Sequence, residues 1–327
     1  MERAVRIFEH GGPERLEVET QPSPSPGPGE ALVRHTAIGV NFIDVYHRSG
    51  LYPVPRLPSG IGMEAAGVVE RVGDGVSEVS VGQRVAYASG PPGSYATARC
   101  VRADRLVPIP DAISDETAAA VLLKGMTAEF LIRRTYAVQA HDTVLFHAAA
   151  GGVGLIACQW LAHLGATVVG TVGSEQKAEL ARAHGCAHTI LYRDQDFVAR
   201  VKDLTNGIGV PVVYDSVGRA TFAGSLDCLR PRGLFVGYGN ASGKPDPFDM
   251  GILAQKGSLY VTRPTLFTYT ATREDLLASA RALFDVIASG AVKVLIGQRW
   301  PLAEARAAHH ALETRATLGS SVLDVPR

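Results

Sequence analysis

VLFHAAAGGVGLIACQWLAHLGATVVGTVGSEQK, residues 144–177, joins an apolar strand-sized run, a turn of small residues, a helical stretch and a second apolar run. Ala149, Gly151 and Gly154 stand at the three small-residue positions of a G-x-G-x-x-G turn: one makes the tight bend, one admits a ligand to the backbone, and one lets the helix pack on the strand. Alanine at the first position is sterically mild. A helix is expected from about Val153 to Leu164, and its free N–H groups and positive dipole end suit a pyrophosphate, with Gly152 and Val153 facing it. Any tight strand-to-helix junction favours glycine. The preceding strand, following helix and βαβ continuation turn the motif into a dinucleotide-binding signal.

The end of the second strand discriminates between nucleotides. An Asp or Glu there accepts ribose hydroxyls and repels a 2′-phosphate. This strand instead runs into Gly173 and Ser174. Ser174 suits a phosphate contact, Lys177 suits charge neutralisation, and Tyr192 after the third strand suits the adenine side. Ser174 is equally suited to capping the helix EQKAELARAHG. Glu175 is expected to point to solvent on the first turn, leaving NADPH as the preferred cofactor.

Working outward, TVLFHA, TVVGTV, HTILY, VPVVYDSVG and GLFVGYG alternate with helical segments, the sequence form of a parallel sheet with crossover helices. The first third differs: EALVRHTAIGV, AAGVVERVG and VGQRVAYAS are short β-like runs among turn signals, and PSPSPGPGE is a surface loop. Thr272 and Asp275 mark the start of a helix ended by Gly290, and the closing segment reads as helix, glycine turn and strand. No internal repeat is present. At 327 residues the chain favours two domains.

Thirty-two basic residues balance 32 acidic ones, so there is no nucleic-acid footprint. Cys100, Cys158, Cys186 and Cys228 are widely spaced and read as reduced thiols, which points to the cytoplasm. No run is apolar and long enough to span a bilayer, and the N-terminus lacks a signal-peptide core.

Beyond the glycine turn, AIGVNFIDVYHRSGLYPVPRLPSGIGMEAAGVV, LKGMTAEFL, LFHAAAGGVGLIACQW, VVYDSVG, KGSLYVTRP and RATLGSS resemble the zeta-crystallin-like quinone oxidoreductases. These form a zinc-independent branch of the medium-chain dehydrogenase/reductase superfamily. The resemblance covers nearly the whole chain. It implies an α/β protein: a six-stranded Rossmann domain (125–263) for NADPH, inserted in a GroES-like β-rich catalytic domain (1–124 and 264–327), with the cofactor in the cleft. The superfamily's zinc ligands fall near Asn41 and Met63-Glu64, so metal ligation is lost, and neither zinc nor flavin is expected.

The same resemblance places Asn41 and Asp44 near the nicotinamide ribose and carboxamide, Tyr46 and Tyr52 at the substrate mouth, and Lys124 and Thr127 near the nicotinamide ribose or phosphates. Ser216 falls on the adenine half, Tyr238, Gly239 and Asn240 near the cofactor, and Arg263, Arg315 and Ser320 around the cleft. Tyr238 stands where phenylalanine is common. Asn41, Tyr46 and Tyr52 are the catalytic candidates. Plain readings stand beside these: Asn41 as a turn residue, Asp44 as a partner of Arg48, the tyrosines as packed aromatics, the arginines as domain-joining ion pairs, His147 as a buried strand residue, and AAHHALE as a helix face.

The implied activity is NADPH-dependent quinone reduction by hydride or single-electron transfer without a metal. Enone or enoyl-thioester reduction is the alternative, with a non-catalytic NADPH-binding sensor, RNA-binding or structural protein as a second. KGSLYVTRP resembles an edge strand that pairs across a two-fold axis, implying a homodimer.

Overall fold

Alternating apolar and polar residues in the first third form antiparallel strands with one face inward. In the computed structural model, which describes residues 1–326, the chain begins with β1 (Glu2–Ile7), β2 (Glu17–Gln21) and β3 (Glu30–Val40). Next come α1 (Phe42–Ser49), β4 (Ser59–Gly60), β5 (Glu64–Val72), β6 (Arg84–Ala88), β7 (Ala98–Arg102), β8 (Val107–Pro108) and α2 (Asp115–Glu129). The middle holds β9 (Thr143–Phe146), α3 (Gly152–His163), β10 (Thr167–Val172), α4 (Glu175–Ala183), β11 (His188–Leu191), α5 (Phe197–Leu204) and β12 (Val210–Asp215). It continues through α6 (Phe222–Cys228), β13 (Leu229–Gly237), α7 (Gly251–Gln255), β14 (Tyr260–Thr262) and α8 (Leu266–Tyr269). The chain closes with α9 (Arg273–Ala288), β15 (Ile296–Pro301), α10 (Ala305–Glu313) and β16 (Ser320–Asp324).

The chain divides into two compact units. The first comprises Met1–Met126, Thr270–Ala288 and the residues from Val294 onward; the second comprises Thr127–Tyr269 and Ser289–Lys293. The divisions the resemblance implies, at 124/125 and 263/264, leave 289–293 in the outer domain. Those five residues instead join the second unit, where Lys293 N–H donates to the Gln159 side chain on α3 (2.9 Å).

In the first unit a sheet runs β15-β16-β3-β5-β6-β8, with β7 also on β3. The C-terminal strand β16 pairs antiparallel with β3 from Ser321↔Val40 to Asp324↔Ala37. Its core includes Val33, Ile38, Ile61, Tyr87, Tyr95, Leu106 and Leu323. Thr272 accepts the Asp275 N–H (3.1 Å) at the start of α9, as its spacing predicts.

The second unit has a six-stranded sheet in the order β11-β10-β9-β12-β13-β14, every pairing parallel. This is the doubly wound order, whose ligands bind beyond the carboxyl ends of the strands where the order reverses, here between β9 and β12. Its central strands β9, β10 and β12 are buried almost throughout, as suits a parallel sheet covered on both faces, and Leu145, Val169, Ile190, Val213 and Phe235 fill one core. Among the described residues no helix is long and apolar enough to cross a membrane.

Candidate active site

The glycine turn lies at the carboxyl end of β9. Its left-handed residue is Ala148, at φ +55, one position before the alanine expected to make the bend. Ala149 is buried and its N–H donates to Thr171 O (3.1 Å), tying the turn to β10. Gly151 caps α3, which starts at Gly152, one residue earlier than its periodicity suggests. A Cβ on Gly154 would stand 2.5 Å from Ala148 O and 2.6 Å from Ala149 O, so the helix can approach the strand only with glycine there. Gly151 is exposed and Gly152 and Val153 are half-buried, so the first-turn N–H groups are open to an anion.

His147 is a buried strand-end residue. Its Nδ1 pairs with Thr171 Oγ1 (2.8 Å) and its Nε2 with Ser225 Oγ (2.9 Å). Ser225 donates onward to Asp215 (3.1 Å), which also accepts the N–H groups of Val217 (2.7 Å) and Gly218 (3.0 Å). Burial lowers the imidazole's pKa, and the neutral ring here fastens β9 to β10 and α6.

Pairing of β10 with β11 carries Tyr192 beside Gly173. A Cβ on Gly173 would meet the Tyr192 hydroxyl at 2.9 Å. Ser174 caps α4, its hydroxyl accepting the Lys177 N–H (3.4 Å). Gly173, Ser174, Lys177 and Tyr192 therefore form one cluster. Glu175 is exposed and its carboxylate accepts from Arg182 (2.7 Å), so it turns to the outer side of α4. A hydroxyl cap, a lysine and a phenol come from neighbouring positions here, and donors of this kind suit a 2′-phosphate.

At the end of β12 the chain packs backbone to backbone against the segment after β13. A Cβ on Gly239 would lie 2.6 Å from Ser216 O, and Ala241 N–H donates to the same oxygen (3.1 Å). Ser216, Tyr238, Gly239 and Asn240 are thus neighbours, and the Tyr238 ring sits 6.0 Å from that of Phe146. Thr127 is buried in α2. Arg263 is exposed, with Nη1 donating to Pro264 O (3.1 Å).

In the first unit Asn41 follows β3 directly and is the N-cap of α1. Its N–H donates to Asp44 Oδ2 (2.9 Å), and its side-chain amide donates to Glu64 Oε2 (2.8 Å). Glu64 also accepts from Lys124 Nζ (3.3 Å) and Leu123 N–H (2.6 Å). Asp44 does not pair with Arg48, contrary to the plain reading of their i,i+4 spacing. It accepts from Tyr95 (2.9 Å), whose hydroxyl meets His309 Nε2 (3.1 Å). Arg48 lies on the far side of His309, donating to its Nδ1 (3.2 Å), to Glu313 (2.6 Å) and to Gly11 O (3.0 Å). Burial pushes the Asp44 carboxyl up to about 7 and drops His309 to about 3.

Tyr46 is buried, its ring packed at a tilt between Phe42 (5.3 Å) and the half-buried Tyr52 (4.9 Å). Arg315 is exposed at φ +61, and Ser320, which opens β16, is buried. Sequence reasoning missed Glu64, Tyr95 and His309 as members of this site. Of these only Glu64 carried a signal, an acid within an apolar strand. Asn41 and Met63, where zinc ligands would fall, offer an amide already donating to Glu64 and a thioether, a donor set that does not fit zinc. Among the described residues no group of three or more His, Cys, Asp or Glu side chains is placed to hold a metal ion.

Residues 27–111 match the alcohol dehydrogenase GroES-like domain family, and 152–280 the zinc-binding dehydrogenase family. A quinone oxidoreductase of Pseudomonas aeruginosa is 53% identical over 323 residues, covering 99% of each chain. This chain belongs to the quinone oxidoreductases of the medium-chain dehydrogenase/reductase superfamily. The crystal structure of Escherichia coli quinone oxidoreductase complexed with NADPH has a TM-score of 0.97 and 51% identity, covering 98% of this chain and 99% of that one. A 2-haloacrylate reductase from Burkholderia sp. is 46% identical over 333 residues, covering 99% of each.

Proposed function

We propose that this chain reduces quinones with NADPH. The observation that carries the reading is the cluster of Gly173, Ser174, Lys177 and Tyr192 with Glu175 turned away, in a chain 51% identical to a quinone oxidoreductase crystallised with NADPH. The second unit is the nucleotide domain: Gly151–Gly154 receive the pyrophosphate, the Ser174 cluster the adenosine phosphate, and Ser216, Tyr238, Gly239 and Asn240 flank the cofactor, with Thr127 and Arg263. The first unit is the catalytic domain, with Asn41, Asp44 and Lys124 at the nicotinamide end and Arg315 and Ser320 as further contacts.

When bound, NADPH supplies a hydride from its nicotinamide ring. The protein's residues position it and deal with the proton. Phe42, Tyr46 and Tyr52 form an aromatic wall suited to a flat conjugated ring, and the Tyr46 and Tyr52 hydroxyls are the candidates for holding a proton, or a water, against the product oxygen. A conjugated carbonyl accepts hydride readily, so positioning and hydrogen bonding meet its needs without zinc or flavin.

A second reading follows from the 2-haloacrylate reductase: the same site would deliver hydride to an electron-poor alkene. Following NADPH oxidation against quinones, enals, enoyl thioesters and 2-haloacrylate, with products identified, tests both. Hydroquinone as the preferred product supports the first reading; a saturated product with no quinone turnover replaces it with the second.

Edge strand β14 exposes Tyr260 and Val261 and, among the described residues, has no strand beyond it, which supports a homodimer through this edge. Four free cysteines suit a reducing compartment, and we assign the chain to the cytoplasm. Balanced charge gives no reason to invoke nucleic acid.

A further inference from the structure

We propose that Glu64 sets the charge balance at the nicotinamide end: its buried carboxylate fixes the Asn41 amide and the Lys124 ammonium and cancels the ammonium's charge. The cation a nicotinamide ring becomes on losing hydride then meets a neutral pair instead of a bare ammonium. This inference rests on the NADPH reading above.

Glu64 is fully buried, and its two oxygens take three donors: Leu123 N–H on Oε1 (2.6 Å), and Asn41 Nδ2 (2.8 Å) and Lys124 Nζ (3.3 Å) on Oε2. The backbone makes room for it. A Cβ on Gly39, next to Glu64 in the β3–β5 register, would stand 2.4 Å from Oε2 and 2.1 Å from Ala119 O. Lys124 is itself only 7% exposed at its side chain, so water screens the pair poorly.

Fold stability gives little reason for such a pair. Burying two opposite charges costs about as much as their attraction returns, and apolar residues of similar volume often do as well. Hydrogen bonding alone does not require a full negative charge either, since a neutral amide would still accept from Leu123. What only the carboxylate supplies is charge. Its field reaches the neighbouring acid: burial raises the Asp44 carboxyl, Lys124 draws it down and Glu64 pushes it up. Asp44 Oδ1 has no partner. Arg48, the other buried cation nearby, is matched by Glu313 and lies beyond His309. Lys124 and Glu64 are therefore the ion pair beside Asn41, with Asp44, raised to about 7 by burial, the other titratable group there.

The test is equilibrium binding of NADPH and NADP⁺ to the full chain, without quinone. Steric and hydrogen-bond losses, and any effect on the phosphates both forms share, weaken both together; a charge change at the nicotinamide end shifts their ratio. For Glu64→Gln the ratio Kd(NADP⁺)/Kd(NADPH) is expected to rise about tenfold. Lys124→Met shifts it the opposite way by a similar factor, and the double variant returns it to within about threefold of wild type. Equal weakening of both forms in Glu64→Gln overturns the proposal and leaves Glu64 a structural residue. Should Glu64→Gln fail to fold, an unchanged ratio in Lys124→Met overturns it equally. Wild-type protein that binds neither nucleotide would instead overturn the NADPH reading beneath it.

Discussion

The placing of Ser174 and Lys177 together was legible in the sequence because it depends on local order: strand end, glycine, hydroxyl, first helical turn. Tyr192 followed from strand adjacency, since β10 and β11 run side by side with Val172 opposite Leu191. Replacing Lys177 with Ala should raise the Kd for NADPH about tenfold and leave that for NADH within about twofold, because only NADPH carries the phosphate an ammonium would meet. Parallel titrations measure this. The chain Asn41–Asp44–Tyr95–His309–Arg48 was not legible, because its links span up to 261 residues and no spacing rule reaches that far. It makes Asp44 a buried acid raised from 3.8 to about 7. Between those values the folded state holds a proton that the unfolded chain has released, so this group's contribution to stability falls as pH rises, by up to about 1.4 kcal/mol per pH unit. Asp44→Asn should remove that slope in denaturant titrations from pH 4 to 7; an unchanged slope would mean Asp44 is ionised throughout.

At the scale of elements, period and punctuation gave five strands of the parallel sheet and the start of α9, while the sixth strand, β14, came from the resemblance and some ends shifted by a residue where backbone geometry intervened. The bend before α3 falls on Ala148 because the chain turns directly after the buried His147, leaving Ala149 to bond back to β10. Gly154 is the tightest point of this junction. Gly154→Ala should cost about 1–3 kcal/mol of stability by pushing α3 off the strand, and should weaken NADPH through displaced first-turn N–H groups. Thermal denaturation and NADPH titration on the same preparation check both effects. The short alternating strands of the first third announced a β-rich unit. The closing segment reads as a strand able to return to the first domain, but nothing in SSVLD specifies β3, more than 280 positions earlier, as its partner.

For the whole molecule, the texture change near residue 116 announced two units, but the division falls at Met126/Thr127, inside α2, where helical periodicity runs on without a break. Assembly is the expectation that rests most on an edge. Tyr260 is 61% and Val261 37% exposed on β14, so Val261→Lys should place charge against the two-fold pairing and convert dimer to monomer in light scattering. A mass unmoved by the substitution would place the interface elsewhere. The central claim is transfer of reducing equivalents from NADPH to a quinone, and it is tested most directly by anaerobic mixing of the protein with both, with nucleotides and quinone products quantified together. One hydroquinone formed per NADPH consumed is the predicted result; NADPH left unoxidised, or consumed without hydroquinone, would contradict it.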